Sequence, residues 1–289
     1  MNPQHDKICL ITGVSSGFGR AFAEAFIAAG HRVVGTVRRE SDALNFEASF
    51  PQRARAVVLD VTDEGAIAGV IEAVLAEFGR IDVLINNAGY GHEGVLEESS
   101  LDAMRHQFDV NVFGAVAMIK AVLPGMRMRR SGHIINMSSM AGYVPLAGIA
   151  YYAGSKFALE GMTGVLAREV ESFGIKVTAV APGSFRTDWA GRSMIRSERS
   201  IADYDAMFEP IRAARAAKSG HQSGDPARAA QALLTLIASE HPPAHLLLGS
   251  DALAMVRAHL AELQKQLHAW ESLSVSTDFP ASSPLSKEA

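Results

Sequence analysis

With a single cysteine in 289 residues, no disulfide can close within the chain and no thiolate cluster can hold a metal. That residue, Cys9, lies in an apolar run at 8–11, where it reads as a small buried hydrophobe on a strand. Charge of one sign is also missing in quantity. The net charge is −4 and no long run of either sign occurs, which argues against a polyanion partner such as nucleic acid. The small cluster Arg127, Arg129 and Arg130 reads as cations complementing a helix end. No apolar stretch approaches the roughly 18 uninterrupted residues of a membrane span. The first seven residues lack the apolar core of a secretory signal, so a cytoplasmic protein without a membrane partner is the expectation. His92, His106 and His133 match no metal-ligand spacing, and no metal is expected.

What the sequence does contain is rhythm. Apolar residues make up 48% of it, and short β-branched runs alternate with longer helical stretches. That pattern predicts βαβ units and a parallel sheet. Strands are expected at 7–11, 32–37, 54–60, 83–86, 133–137, 176–180 and 245–248. Helices are expected at 19–29, 64–78, 101–128, 152–173 and 226–239. The predicted fold class is α/β, a single-domain Rossmann-type doubly wound sheet of about seven parallel strands with helices on both faces. Residues 1–250 form its body, with an irregular or short-helical insertion at 183–224, and 251–289 form a C-terminal helix and tail. In that helix Leu253, Val256, Leu260, Leu263, Leu267 and Trp270 recur at steps of three and four, a stripe expected to pack on its own domain, with a subunit contact as the other use. The Ser- and Pro-rich tail from Ser274 is expected to be poorly ordered or draped over the surface.

The first strand runs into Thr12-Gly13-Val14-Ser15-Ser16-Gly17-Phe18-Gly19 and then a helix. A strand, a glycine-rich turn and a helix N-terminus together make an anion site, because backbone N–H groups and the helix dipole both favour negative charge. Gly13, Ser15, Ser16, Gly17, Phe18 and Gly19 are therefore candidates for a dinucleotide pyrophosphate, although the G-x-x-x-G-x-G spacing differs from the general fingerprint. At the end of the second strand, the slot where an NAD-preferring fold places a carboxylate holds Thr36 and Val37. Arg38 and Arg39 follow. Guanidinium groups match a 2′-phosphate, so NADP(H) is preferred, with NAD(H) as the alternative.

Tyr152 and Lys156 are four residues apart at the start of a predicted helix and share a face. An ammonium beside a phenol is expected to lower its pKa and ready it for acid–base work. About 13 residues upstream lies Asn136-Met137-Ser138-Ser139.

With these motifs in this order, together with Asp60, Asn86-Asn87-Ala88-Gly89, Asn111 and Pro182-Gly183, the chain resembles the short-chain dehydrogenase/reductase family over roughly residues 6–250. The resemblance implies that Tyr152 is the general acid/base and that Lys156 holds the nicotinamide ribose. It implies that Ser139 bonds the substrate oxygen and that Asn111 fixes a water in a proton relay. Asp60 and Val61 would meet the adenine, Asn87, Ala88 and Gly89 would line the cofactor trough, and Pro182, Gly183 and Thr187 would flank the nicotinamide. Ser138 and Tyr151 are adjacent look-alikes of Ser139 and Tyr152. The expected substrate is a carbonyl or alcohol compound, bound between residues 91–96, 143–149 and 183–224, where Val144, Leu146, Ile149, Trp189, Met194 and Phe208 give an apolar lining. The insertion either closes as a lid or is a static excursion. A homodimer through the helices 101–128 and 152–173 is expected. The rival functions on this fold are a cofactor-binding regulatory protein and an epimerase or dehydratase.

Overall fold

The computed structural model describes residues 6–279 except Asp188, Ala190 and Arg192. Seven parallel strands form the central sheet: β1 (Ile8–Thr12), β2 (Arg32–Val37), β3 (Ala54–Val58), β4 (Val83–Asn86), β6 (Gly132–Met137), β7 (Ile175–Pro182) and β9 (His245–Leu248). Their spatial order is β3-β2-β1-β4-β6-β7-β9. Two three-residue strands, β5 (Gly91–Glu93) and β8 (Met194–Arg196), pair with each other outside it. The sequence pattern had not suggested them.

The central strands read as unbroken apolar runs because both faces are covered. Alternate residues of β1 feed two separate cores. Cys9 and Ile11 join Phe22, Phe26 and Leu233 on one face, under α1 (Gly17–Ala28), α2 (Glu40–Ser49) and α8 (Pro226–Ala238). Ile8 and Leu10 join Ile67, Met118 and Val177 on the other, under α3 (Glu64–Phe78), α5 (Gly114–Arg129) and α6 (Ala150–Val170). The seven expected strands and the expected helices are all present. Local chemistry explains the sharpest boundaries. Asp63 caps α3 by accepting from Ala66 N–H at 3.0 Å and Gly79 ends it at φ 73°. Asp225 caps α8 ahead of Pro226.

Three features depart from expectation. The long helix begun by α4 (Leu101–Phe108) passes through a π-helical turn, Asp109–Phe113, before continuing as α5. By length and hydropathy the stretch Leu101–Arg129 could cross a membrane, but Met118, Ile119, Val122 and Met126 lie against the sheet. The insertion contains a regular helix, α7 (Asp205–Ala217).

The third departure is a correction. α9 (Ser250–Ala269) buries only Ala252 and Val256. The rest of its apolar stripe does not pack on the domain: Leu260, Leu263, Leu267 and Trp270 are all exposed, and a short α10 (Glu271–Val275) follows them into solvent. The helix leaves the sheet edge after its second turn, so its own domain offers nothing for the stripe to cover. The tail beyond Phe279 lies outside the described residues.

Candidate active site

The strand order reverses between β1 and β4, each of which has its successor on the opposite side. Ligands of open α/β sheets sit at such a switch point, outside the carboxyl ends of the strands. Here those ends deliver the two glycine-containing turns to the same place. Asn87 Nδ2 donates to the carbonyls of Thr12 (2.8 Å) and Gly13 (3.0 Å). Thr12 Oγ1 accepts from the backbone N–H of both Asn87 and Ala88 at 2.9 Å. Thr12 was not among the candidates, yet its buried hydroxyl ties the turns together. Only a β-branched polar residue at a strand end hinted at it.

The turn fits a pyrophosphate on its own geometry. Gly13 and Gly17 have φ of 75° and 59°, and a Cβ on Gly19 would sit 2.1 Å from the Gly13 carbonyl oxygen. The first turn of α1 has no acidic residue, and Ser16 makes no side-chain cap, so the N–H donors of Gly17, Phe18 and Gly19 point outward without intrahelical acceptors. Ser15 and Ser16 border this opening. Thr187 packs over it, 3.8 Å from where a Gly17 Cβ would be.

At the end of β2, Arg39 is held by Asp42 through two contacts of 2.8 and 3.0 Å, whereas Arg38 is exposed just before it. Asp60 is turned onto Thr62, accepting from its N–H and hydroxyl. Partial burial works against its charge, and these bonds outweigh it, so its carboxyl titrates lower than usual. Val61 is buried against Gly114.

The geometry separates the look-alike pairs. Tyr151 turns away: its hydroxyl donates to Ser99 O at 2.7 Å and its ring lies 5.1 Å from that of His92. Tyr152 faces Ser139, whose Oγ accepts from Ala141 N–H at 3.1 Å and so keeps its own proton to donate. Ser138 Oγ is buried behind Gly142 and meets no partner among the described residues.

Lys156, buried one turn along α6, donates from Nζ to Met137 O at 2.7 Å and lies 5.6 Å from the Tyr152 ring centroid. The expected acidification of Tyr152 is not what this arrangement produces. Burial disfavours the phenolate and pushes its pKa up to about 12, outweighing the hydrogen bonds from Ser139 and Trp189 that pull it down. Burial likewise pushes Lys156 down to about 8, partly opposed by the Glu160 carboxylate on the next turn. The ammonium addresses the Met137 carbonyl and the face of the ring instead of the phenol oxygen, so it does little for the phenolate.

Asn111 projects from the π-helical turn. Its Nδ2 donates to Tyr90 O and Ser155 Oγ, both at 3.1 Å, and its Oδ1 accepts from Tyr90 N–H at 3.2 Å. It therefore braces the 89–91 turn, and its Oδ1 would lie 3.0 Å from a Cβ on Gly89. Pro182 ends β7. Gly183 N–H donates to Leu248 O at 2.8 Å, while Asp251 packs where a Gly183 Cβ would be and accepts from Ser184 N–H at 2.9 Å. Asp251, at the start of α9, is a second residue the sequence reading missed.

The expected pocket walls do converge. Trp189 stands 5.1 Å, centroid to centroid, from Tyr152 and packs on Gly91, with Leu146 and Ile149 beside it. Phe208 fills the space over Gly148. The histidines are elsewhere engaged: His92 Nε2 meets Ser197 Oγ at 3.0 Å, and His133, pushed down to about 3 by burial, meets Thr178 at 3.1 Å.

A sheet of this topology, with a glycine turn open to phosphate beside a Ser–Tyr–Lys cluster, defines a nucleotide-dependent oxidoreductase. The family model described as short chain dehydrogenase matches residues 7–196, and the chain belongs to that family. It is 38% identical over 275 residues to an oxidoreductase of Botryotinia fuckeliana, covering 94% of this chain and 99% of that one. It is 38% identical over 244 residues to the 3-ketodihydrosphingosine reductase of Bacteroides thetaiotaomicron, covering 84% and 87%. Among solved structures, a short-chain dehydrogenase from Streptomyces avermitilis superposes with a TM-score of 0.89 at 43% identity, covering 95% of this chain and all of that one. A serine dehydrogenase complexed with NADP+ (TM-score 0.72, 27% identity, 83% and 94% covered) and a Burkholderia phymatum family member in complex with NAD (0.81, 26%, 92% and 97%) share the fold with a bound nicotinamide cofactor.

Proposed function

We propose that this chain is an NADP(H)-dependent oxidoreductase that interconverts a carbonyl and a secondary alcohol on a mostly apolar small molecule. The observation that carries the reading is the meeting of Ser139, Tyr152 and Lys156 beside a phosphate-ready turn. A nicotinamide, when bound, supplies or accepts the hydride. The protein supplies the rest. Tyr152, protonated across the neutral range, donates its phenolic proton to the carbonyl oxygen during reduction and takes it back during oxidation. The Ser139 hydroxyl donates to the same oxygen and stabilises the charge that builds there. Lys156 has donors beyond the one given to Met137, and these are assigned to the ribose. Gly13, Ser15–Gly19, Asn87, Ala88 and Gly89 are assigned to the dinucleotide, with Asp60 and Val61 at the adenine and Pro182, Gly183 and Thr187 at the nicotinamide end.

NADP(H) is favoured over NAD(H) because Arg38 stands exposed at the end of β2 with no carboxylate in the preceding slot, while Arg39 is committed to Asp42. The solved relatives include both coenzymes, so this chain's preference rests on Arg38. An apolar substrate is favoured by the Trp189, Leu146 and Ile149 lining and agrees with the ketone named for the Bacteroides relative. A homodimer is proposed through the exposed apolar residues of the long helices, Phe113 on one and Phe157 and Val165 on α6, the surface the family resemblance points to. The test is a panel of ketones with NADPH and NADH, followed at the nicotinamide absorbance band. Net oxidation of NADPH by apolar ketones supports the reading. Coenzyme binding without turnover would support a regulatory protein, and substrate conversion with no net coenzyme change would support an epimerase or dehydratase.

A further inference from the structure

One ionic assembly stands apart from the reacting groups. Glu93, on β5, has a side chain only 2% exposed, yet among the described residues it meets three cations, all contributed by the insertion. Its Oε2 accepts from Arg215 Nη1 at 2.7 Å, and its Oε1 faces Arg196 Nε at 3.2 Å and Arg212 Nε at 3.9 Å. Arg215 reaches further, donating to Ala147 O at 3.1 Å. A carboxylate this buried is tolerated only where its charge is answered, and its removal leaves cations gathered around a neutral group. Five residues along the same segment, Glu98 repeats the pattern. Its Oε1 accepts the backbone N–H groups of Ser200 (2.7 Å) and Ile201 (2.8 Å), and its Oε2 pairs with Arg199, whose guanidinium covers the Phe208 ring.

Both knots close around the wall over Tyr152. The β5·β8 pairing sets Gly91 opposite Met194 and Glu93 opposite Arg196. Gly91 leaves room for the Trp189 indole, whose carbons lie 2.9 Å from where a Cβ would be. Trp189 in turn stands against Tyr152. Its Nε1 is buried and directed at the Tyr152 oxygen, close enough to favour the phenolate.

We infer that Glu93 is a positioning residue for substrate: through its arginine clamp it anchors β8 and α7 of the insertion and so holds Trp189 over Tyr152. This assigns that part of the insertion a static role and places a determinant of substrate fit outside the reacting groups. It rests on the reading of Tyr152 as the reacting residue, and the test therefore includes an arm that needs no turnover.

The chain contains two tryptophans, so in a Trp270→Phe background the emission reports Trp189 alone. In that background Glu93→Gln should shift Trp189 emission to the red and raise its quenching by acrylamide. It should also raise KM for an apolar ketone about tenfold with a smaller change in kcat, a split that a general loss of folded protein would not give. NADPH affinity should stay within about twofold, and Glu93→Asp, which keeps the charge, should fall between Glu93→Gln and the parent. Should Glu93→Gln not fold, Arg215→Gln withdraws one cation while leaving the carboxylate paired, and the same shifts should appear in smaller measure. Trp189 emission and quenching unchanged in folded Glu93→Gln, or ketone KM and NADPH affinity weakening together, would overturn the inference. Absence of turnover in the parent with Trp189 still responsive would sink only the catalytic reading.

Discussion

Replacing Thr12 by Val tests whether the two turns at the switch point are held as one unit. Valine keeps the shape of threonine and its β-branch, so packing at this buried strand end changes little. What disappears is one oxygen that accepts two backbone N–H groups, those of Asn87 and Ala88, each at 2.9 Å. Leaving a buried donor unpaired costs about 1–3 kcal/mol. Both residues are only half-buried, so water recovers part of the loss, and a total of about 2–4 kcal/mol is expected. For a domain of this size that corresponds to a fall in Tm of roughly 3–7 °C. NADPH binding should weaken as well, because Asn87 and Gly13 would lose the shared anchor that sets them side by side. Thr12→Ser restores the acceptor and should recover most of the coenzyme affinity. Thermal unfolding and NADPH titration of the three proteins make the comparison. A Val variant within about 0.5 kcal/mol of the parent, binding NADPH equally well, would refute the reasoning.

Two further outcomes follow from the charges at the site. Arg38→Asp should reverse the coenzyme preference, measured as the ratio of kcat/KM with NADPH to that with NADH, and an unchanged ratio would remove Arg38 from the 2′-phosphate role. The second concerns pH. Burial holds Lys156 near 8, below the 10.5 of a free lysine, so it loses its proton as pH rises through about 8, while Tyr152, near 12, keeps its own. Reductive kcat/KM should therefore fall above about pH 8, and Lys156→Arg, protonated throughout, should move that limb upward; a profile flat to pH 9.5 would contradict the assignment. The same shift has a stability consequence of fixed sign: the unfolded chain holds the Lys156 proton more tightly, so this residue's contribution to stability rises with pH between about 8 and 10.5.

The sheet was legible because its central strands are covered on both faces and must be apolar along their length, as 8–11 and 83–85 are. Helices with a cap at each end were legible too: Asp63 and Gly79 bracket α3, and Asp225 and Pro226 open α8. The elements that escaped lack those signals. α2 buries only Ala43 and Phe46, α7 buries only Phe208 and contains Pro210, and β5 and β8 are three residues each. The stripe on α9 was seen, but not where it goes. Periodicity specifies which face is apolar and says nothing of whether the domain extends far enough to cover it.

At the site, Tyr152 and Lys156 stood out by spacing, and the family resemblance pointed to Ser139. The resemblance chose Tyr152 over Tyr151, and the physical reason came with the structure: the Ser99 carbonyl and the His92 ring, from distant segments, hold Tyr151 away. The same holds for the phenol's pKa. A lysine four residues away suggests an acidic tyrosine, but the sequence does not reveal that Nζ is turned to Met137 or how completely both groups are buried. Glu93 was invisible for a similar reason, since its three arginines lie more than a hundred residues downstream.

The most direct measurement is single-turnover reduction of an apolar ketone by NADPH with Tyr152→Phe, alongside NADPH titration of the same protein. Phenylalanine keeps the ring against Trp189 and removes only the proton donor. The account predicts unchanged NADPH affinity and a hydride-transfer rate lower by about 10²–10⁴-fold. A variant that reduces the ketone at close to the parent rate would contradict it.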